Sequence, residues 1–137
     1  MRPHPYLRAY MAGIVIPSMF MLAAPLIFLW SGGFPPEGST KFSLVSLTQL
    51  AIFPGAFVPN LWGVWNMLHL RIRDRLRIPH AVFGALIPLI LGPVVRLTLP
   101  NLIATEDILF VLPFGIAAYY LVWKFAVGFL NQEMGIA

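Results

Sequence analysis

Four long, nearly uncharged stretches fill most of this 137-residue chain, and each of them contains at least one proline. They cover residues 10–30, 44–69, 80–97 and 107–130. Charged residues make up 10% of the chain and apolar residues 59%, whereas soluble domains carry about 25% charged residues. A bilayer accepts both the apolar surface and the prolines. We therefore expect residues 1–137 to form one all-α membrane domain, an antiparallel bundle of four transmembrane helices with proline kinks.

Length and pattern favour helices over strands in all four stretches. Each stretch is long enough to cross about 30 Å of hydrocarbon as a helix, although 80–97 is at the short end of that range. None of them shows the alternation of apolar and polar residues that a membrane strand requires. The first apolar run, Ala9 to Trp30, is longer than the apolar region of a signal peptide, so we expect it to be an uncleaved span.

The basic residues predict the orientation of the bundle. In a four-span arrangement seven of them fall on one side: Arg2, Arg8, Arg71, Arg73, Arg75, Arg77 and Lys124. The other side has only Lys41 and Arg96. Because Lys and Arg accumulate on the cytoplasmic side of membranes, both termini and the arginine-rich segment are expected in the cytoplasm. The expected location is a bacterial inner (cytoplasmic) membrane.

A glycine–proline pattern repeats in the second and third stretches. Gly-x3-Pro-x3-Gly occurs at residues 55–63 and again at 84–92. Proline cannot donate a hydrogen bond to the carbonyl four residues earlier, and glycine at that position lets the backbone bend and lets another helix approach. Both prolines would lie roughly 12–15 Å from the arginine-rich turn, near mid-membrane. The pattern and the adjacent amide define a candidate midplane site: Gly55, Pro59, Asn60, Gly63, Gly84, Pro88 and Gly92.

Two interpretations of this pattern stay open. The favoured one is close helix packing, with the Asn60 amide bonded between helices. The carbonyls freed by the prolines, those of Gly55 and Gly84, are candidate partners for that amide. The second interpretation is a ligand site formed by broken helices, as in transporters. Such sites need charged or several polar groups, and the predicted membrane centre has almost none.

Two other features of the chain were considered as binding sites. Arg71, Arg73, Arg75 and Arg77 surround a single acidic residue; they predict a topology anchor or, alternatively, contacts with lipid headgroups or a partner protein. His69 and His80 flank this segment, but no nearby histidine or carboxylate cluster completes a metal or haem site. We expect no metal and no cofactor, and the absence of cysteine excludes disulfides and thiolate chemistry.

The pattern of residues predicts a non-enzymatic membrane protein. No phosphate-binding glycine loop, Ser-His-Asp set or pair of intramembrane carboxylates is present, and these are the usual marks of catalysis. Short loops and small-residue helix faces favour a structural or accessory subunit of a larger or homo-oligomeric assembly. The expected partners are lipids and other membrane subunits, not nucleic acid. The alternative is a small oligomeric transporter or channel with its site between the second and third spans.

Overall fold

The computed structural model describes residues 4–30, 55–98 and 105–136, and helices account for nearly all of these residues. The elements in chain order are α1 (Pro5–Trp30), α2 (Phe57–Leu76), α3 (His80–Gly84), α4 (Ile87–Thr98), α5 (Thr105–Val122), a π-helical segment (Trp123–Val127) and α6 (Gly128–Glu133). The predicted all-α class is therefore confirmed for these ranges. The predicted outer loop 31–43, the beginning of the second predicted span (44–54) and the connection 99–104 lie outside the described residues.

Helix α2 continues seven residues past the predicted end of the second span, through most of the arginine-rich segment. It ends where Arg77 adopts a left-handed conformation with φ of 50°, and the Arg77 amide donates to the carbonyl of Arg73 at 2.9 Å. Pro79 follows closely and disfavours helical geometry at the residue before it. Arg73 and Arg75 lie in the last turn, where positive charge is favourable beside the helix dipole. The turn between α2 and α3 is therefore short, residues 77–79.

The third predicted span is divided into two helices, α3 and α4. The break falls at residues 85–86, directly before Pro88. Pro88 has no amide proton to donate to the carbonyl of Gly84. Two amides near the break donate instead to the carbonyl three residues earlier: Leu86 to Phe83 at 3.2 Å and Leu89 to Leu86 at 3.1 Å. The helix is thus interrupted two to three residues before the proline. By contrast, α1 includes Pro17 within a single helical range.

The last helical stretch contains a π-helical segment between α5 and α6. Residues Trp123–Val127 form it, and the Gly128 amide donates to the Trp123 carbonyl, five residues earlier. Such segments are rare in proteins, and those that occur are frequently found at functional sites. No proline lies within it, so the sequence analysis did not predict it.

The helices pack through two buried clusters. Helix α1 lies along α2, and α4 lies along α5, so the third and fourth predicted spans are neighbours. The larger cluster joins α2, the beginning of α4 and the π-helical segment through five residues: Val58, Trp62, Ile87, Trp123 and Val127. The second cluster joins α1 to the C-terminal residues through Ala9, Ala12 and Ile136.

Within residues 4–30, 55–98 and 105–136, two helical stretches are long and apolar enough to cross a membrane. They are Pro5–Ala23, with mean hydropathy 1.4, and Phe110–Glu133, with mean hydropathy 1.6. The stretch His80–Val94 is apolar but shorter. By length and composition, the described residues therefore contain two candidate spans, and the four spans that the sequence predicts are not established.

Candidate functional site

Buried polar side chains meet where α1, α2, α3 and α6 come together. Asn66 is 2% exposed, and its Nδ2 donates to the carbonyl of Ala9 at 2.7 Å and to Oδ1 of Asn131 at 2.8 Å. Asn131 Nδ2 in turn lies 3.1 Å from Asn66 Oδ1 and 2.9 Å from His80 Nε2. We call Asn66, His80 and Asn131 the amide–histidine cluster. Its members satisfy one another's hydrogen bonds in a region with little access to water.

Helical spacing explains why α2 directs this polar group inward. Five residues of α2 recur three or four positions apart and therefore share one face: Val58, Trp62, Asn66, His69 and Arg73. The first four are buried. Along the helix this face changes from apolar to amide, then to imidazole and finally to guanidinium. The apolar end joins the larger core cluster, and the polar end supplies the site.

The last helical stretch brings Asn131 to the same place. Trp123, Val127 and Asn131 are four residues apart and are all buried. The ring of His80 lies 4.8 Å from the Trp123 ring and is also hydrogen-bonded to the Trp123 backbone. Nε2 of His80 lies 3.0 Å from Oδ1 of Asn66 and 2.9 Å from Nδ2 of Asn131, so this one ring nitrogen contacts both amides.

His69 borders the amide–histidine cluster and stabilises the turn after α2. Its Nε2 lies 3.1 Å from the carbonyl of Ile78. Its ring meets the His80 ring edge to face, with centroids 5.0 Å apart. The nearest polar partners of His80 are amides, and the described residues contain no group of three or more His, Asp or Glu side chains placed to hold a metal ion.

A partly open cavity of about 270 Å³ lies beside the amide–histidine cluster. Its polar lining consists of Asn66, His69, Arg73, His80, Lys124, Asn131 and Gln132, and its apolar lining comes from Ala9, Leu70, Ala81, Gly128 and Ile136. Both Arg73 and Lys124 are cations, and none of the described residues that line this cavity is acidic. The cavity therefore suits a small group that is negatively charged or rich in hydrogen-bond acceptors.

The four arginines of the sequence prediction are placed differently from one another. Arg73 is half-buried, lines the cavity, and donates from Nη1 to the carbonyl of Ile136 at 2.7 Å. Arg71, Arg75 and Arg77 are exposed. Arg8 of α1 donates to the carbonyl of Met134. The beginning of α1, the end of α2 and residues 131–136 thus lie together at one end of the molecule, which we call the basic end.

The candidate midplane residues are distributed among several interfaces. Gly63 packs against α1, where a Cβ at Gly13 would lie 2.8 Å from the Gly63 Cα. Gly84 packs against Trp123 instead, and Gly92 has nothing within 4 Å of the position its Cβ would take. The structure therefore does not bring the three glycines together at a single helix crossing.

The other midplane residues also have separate surroundings. Pro59 and Pro88 are buried and Gly55 is half-buried. Asn60 is exposed; its Nδ2 donates to the carbonyl of Ala56 at 2.8 Å, and its Oδ1 accepts from the Tyr10 hydroxyl. The amide therefore bonds the carbonyl of Ala56, not those of Gly55 or Gly84 that the sequence suggested. The hydrogen bond from Tyr10 to Asn60 links α1 to α2.

Sequence reasoning missed Asn66 and Asn131, although a signal for both exists. Each amide lies four residues after a large apolar residue of its helix, Trp62 or Val127, and so continues the buried face of that helix. What sequence does not supply is the pairing of positions 65 residues apart.

Comparisons with protein-family models, characterised proteins and solved structures found no match to this chain.

Proposed function

We propose that this chain is an integral membrane protein that acts as a non-catalytic subunit of a larger or homo-oligomeric assembly. One observation carries the proposal: the apolar helices expose most of their residues. Only 22% of the Pro5–Ala23 window and 11% of the Phe110–Glu133 window are buried within the chain. Apolar helices of soluble proteins bury their apolar face in a core. Here lipid or partner helices must cover these surfaces.

Large side chains on several helices show how extensive this surface is. Exposed apolar residues include Met19, Phe20 and Leu22 of α1, Leu89, Ile90 and Leu97 of α4, and Phe110, Val111, Phe114 and Leu121 of α5. They extend over helices on different sides of the core. The proposal includes four spans, with the helices of the second and third predicted spans also crossing the membrane. Lipid would then surround all of these exposed apolar side chains.

The position of the basic end supports a cytoplasmic location for both termini. Arg8, the arginines of α2 and Lys124 all lie near this end or face its cavity. Cationic residues concentrate on the cytoplasmic side of membrane proteins. A bacterial inner membrane remains our expectation for the chain.

A structural role agrees with the bonding of the polar groups at the basic end. The amides of Asn66 and Asn131 bond each other, a backbone carbonyl and His80. Groups committed to such bonds hold helices in register. An exposed aromatic pair, Phe110 and Phe114 with ring centroids 5.5 Å apart, provides a surface for a neighbouring membrane helix.

Native mass spectrometry in a mild detergent tests this function. We expect a mass above that of one 15.3 kDa chain, from additional copies or a co-purified membrane partner. A strictly monomeric species without any partner contradicts the subunit role. A chain that stays dispersed and helical in buffer without detergent or lipid contradicts the membrane location itself.

The transporter alternative, with its site between the second and third spans, remains a prediction. Flux of ions or small solutes in proteoliposomes tests it, using Pro59→Ala and Asn60→Leu. A midplane pathway predicts altered flux in both variants while the protein stays folded. Unchanged flux in both argues against the alternative.

A further inference from the structure

The cavity at the basic end has features that neither the helix packing nor the amide–histidine cluster requires. It contains two cationic side chains, Arg73 from α2 and Lys124 from the π-helical segment. Arg73 Nε lies 3.9 Å from Oδ1 of the exposed Asp74, but Asp74 does not line the cavity. A negatively charged group inside the cavity would be attracted by both cations. We infer that this cavity binds the phosphate-bearing headgroup of an anionic phospholipid. The inference rests on the membrane location proposed above.

The chemistry of the lining fits a phosphate group. Arg73 donates from Nη1 to the Ile136 carbonyl, and its Nε lies 3.9 Å from Oδ1 of Asp74. A guanidinium has five N–H donors, more than these two contacts use. Lys124 contributes an ammonium group, and Gln132 contributes a neutral amide. Guanidinium and ammonium groups form short, charge-assisted hydrogen bonds to phosphate oxygens. The buried amides behind them keep the cavity polar without adding charge.

The size of the cavity favours a headgroup rather than a whole lipid. A volume of about 270 Å³ is below the range of roughly 300–1,000 Å³ that drug-sized ligands occupy. The remainder of a lipid must therefore lie outside the cavity, on an apolar surface.

Such a surface begins beside Lys124. The Lys124 ammonium lies 5.9 Å from the centre of the Tyr120 ring and 5.3 Å from that of Phe125. Phe125 is 64% exposed, and Phe129, one helical turn further along the chain, is 57% exposed, so exposed aromatic side chains continue from the cationic group. Lysine at a membrane boundary extends its charge towards headgroups while its carbon chain stays in the apolar layer. A lipid can thus place its phosphate in the cavity and its acyl chains along the exposed aromatic residues.

Binding of phosphatidylglycerol to the full chain in a mild detergent, followed by native mass spectrometry, tests the inference. Phosphatidylcholine, whose headgroup is zwitterionic with no net charge, is the first comparison, and inorganic phosphate is the free-anion comparison. We expect Lys124→Gln to weaken phosphatidylglycerol binding about tenfold, the effect of losing one charge-assisted hydrogen bond. Arg71→Gln is the matched control, because it removes the same charge from an exposed residue outside the cavity.

Three results overturn the inference. Equal losses in Lys124→Gln and Arg71→Gln show general attraction to a basic surface. Equal binding of phosphatidylglycerol and phosphatidylcholine shows no recognition of charge. Binding of inorganic phosphate that depends on Lys124, without preference for phosphatidylglycerol, shows a free-phosphate site instead.

Lys124 is used because Arg73 also holds the C-terminal residues, so loss of Arg73 alters the fold. The lipid-free mass in the same spectra reports on assembly separately, so failure here is distinguishable from failure of the subunit proposal.

Discussion

Replacing Gly84 by alanine tests the packing of the core most directly. A Cβ at this position would lie 2.6 Å from the Cβ of Trp123 and closer still to the ring atoms Cγ and Cδ2. Carbon atoms prefer separations of about 3.5–4.0 Å, so Trp123 must move by at least about 1 Å. It has no room for this, because it is fully buried among Ile87 and Val127 and lies against the rings of Trp62 and His80.

The expected cost follows from two opposing effects. Overpacking a well-filled core costs about 1–3 kcal/mol, and the closeness of this contact places it at the upper end. Alanine is favoured over glycine in a helix by about 1 kcal/mol. The net destabilisation of Gly84→Ala is therefore about 2 kcal/mol. Gly92, the second glycine of the same Gly-x3-Pro-x3-Gly repeat, has open space around its Cβ position, so Gly92→Ala should stabilise the protein by up to about 1 kcal/mol.

Equilibrium unfolding in mixed micelles, monitored by tryptophan fluorescence, measures both changes. Near-ultraviolet circular dichroism shows whether the packing of Trp123 has changed. A third variant, Gly84→Ala with Trp123→Ala, should show a smaller penalty for the glycine substitution because the ring is gone. The reasoning is refuted if Gly84→Ala matches the wild type, or if Gly92→Ala is as destabilising as Gly84→Ala.

Two further substitutions probe the contacts of α2. In Gly13→Ala the new Cβ would lie 2.6 Å from the carbonyl oxygen of Trp62 and 2.8 Å from the Cα of Gly63; because α1 and α2 must separate, we expect a loss of about 1–3 kcal/mol in the same unfolding assay, and an unchanged midpoint would contradict this close approach. Asn66→Leu leaves buried partners unbonded and should cost at least about 2 kcal/mol. The double variant with Asn131→Leu should lose less unfolding free energy than the two single variants lose together, by about 0.5–3 kcal/mol. Additive losses would show that the two amides act independently.

Several properties of this protein could be predicted from local sequence alone. The helical class follows from long apolar stretches without strand alternation. The predicted proline kinks agree with the break before Pro88, but Pro17, Pro93 and Pro113 lie within continuous helices. The arginine-rich segment was expected to form a turn after residue 69, but α2 continues through most of it, to Leu76. These features depend on residues that are neighbours in the chain.

The candidate site could be identified only from the tertiary structure. The repeated glycine–proline pattern suggested one shared interface, but Gly63 faces α1, Gly84 faces Trp123 and Gly92 faces open space. The π-helical segment likewise has no proline or other local mark that predicts it.

Sequence by itself determined that the chain forms apolar helices and which segments carry positive charge. Only the tertiary structure decided that Asn66, His80 and Asn131 share one network and that Arg73 and Lys124 face one cavity. The physical reason is that helix formation and charge are set by residues within a few positions of each other. Which helix faces meet depends on the combined packing of all the helices, and no local pattern contains that information.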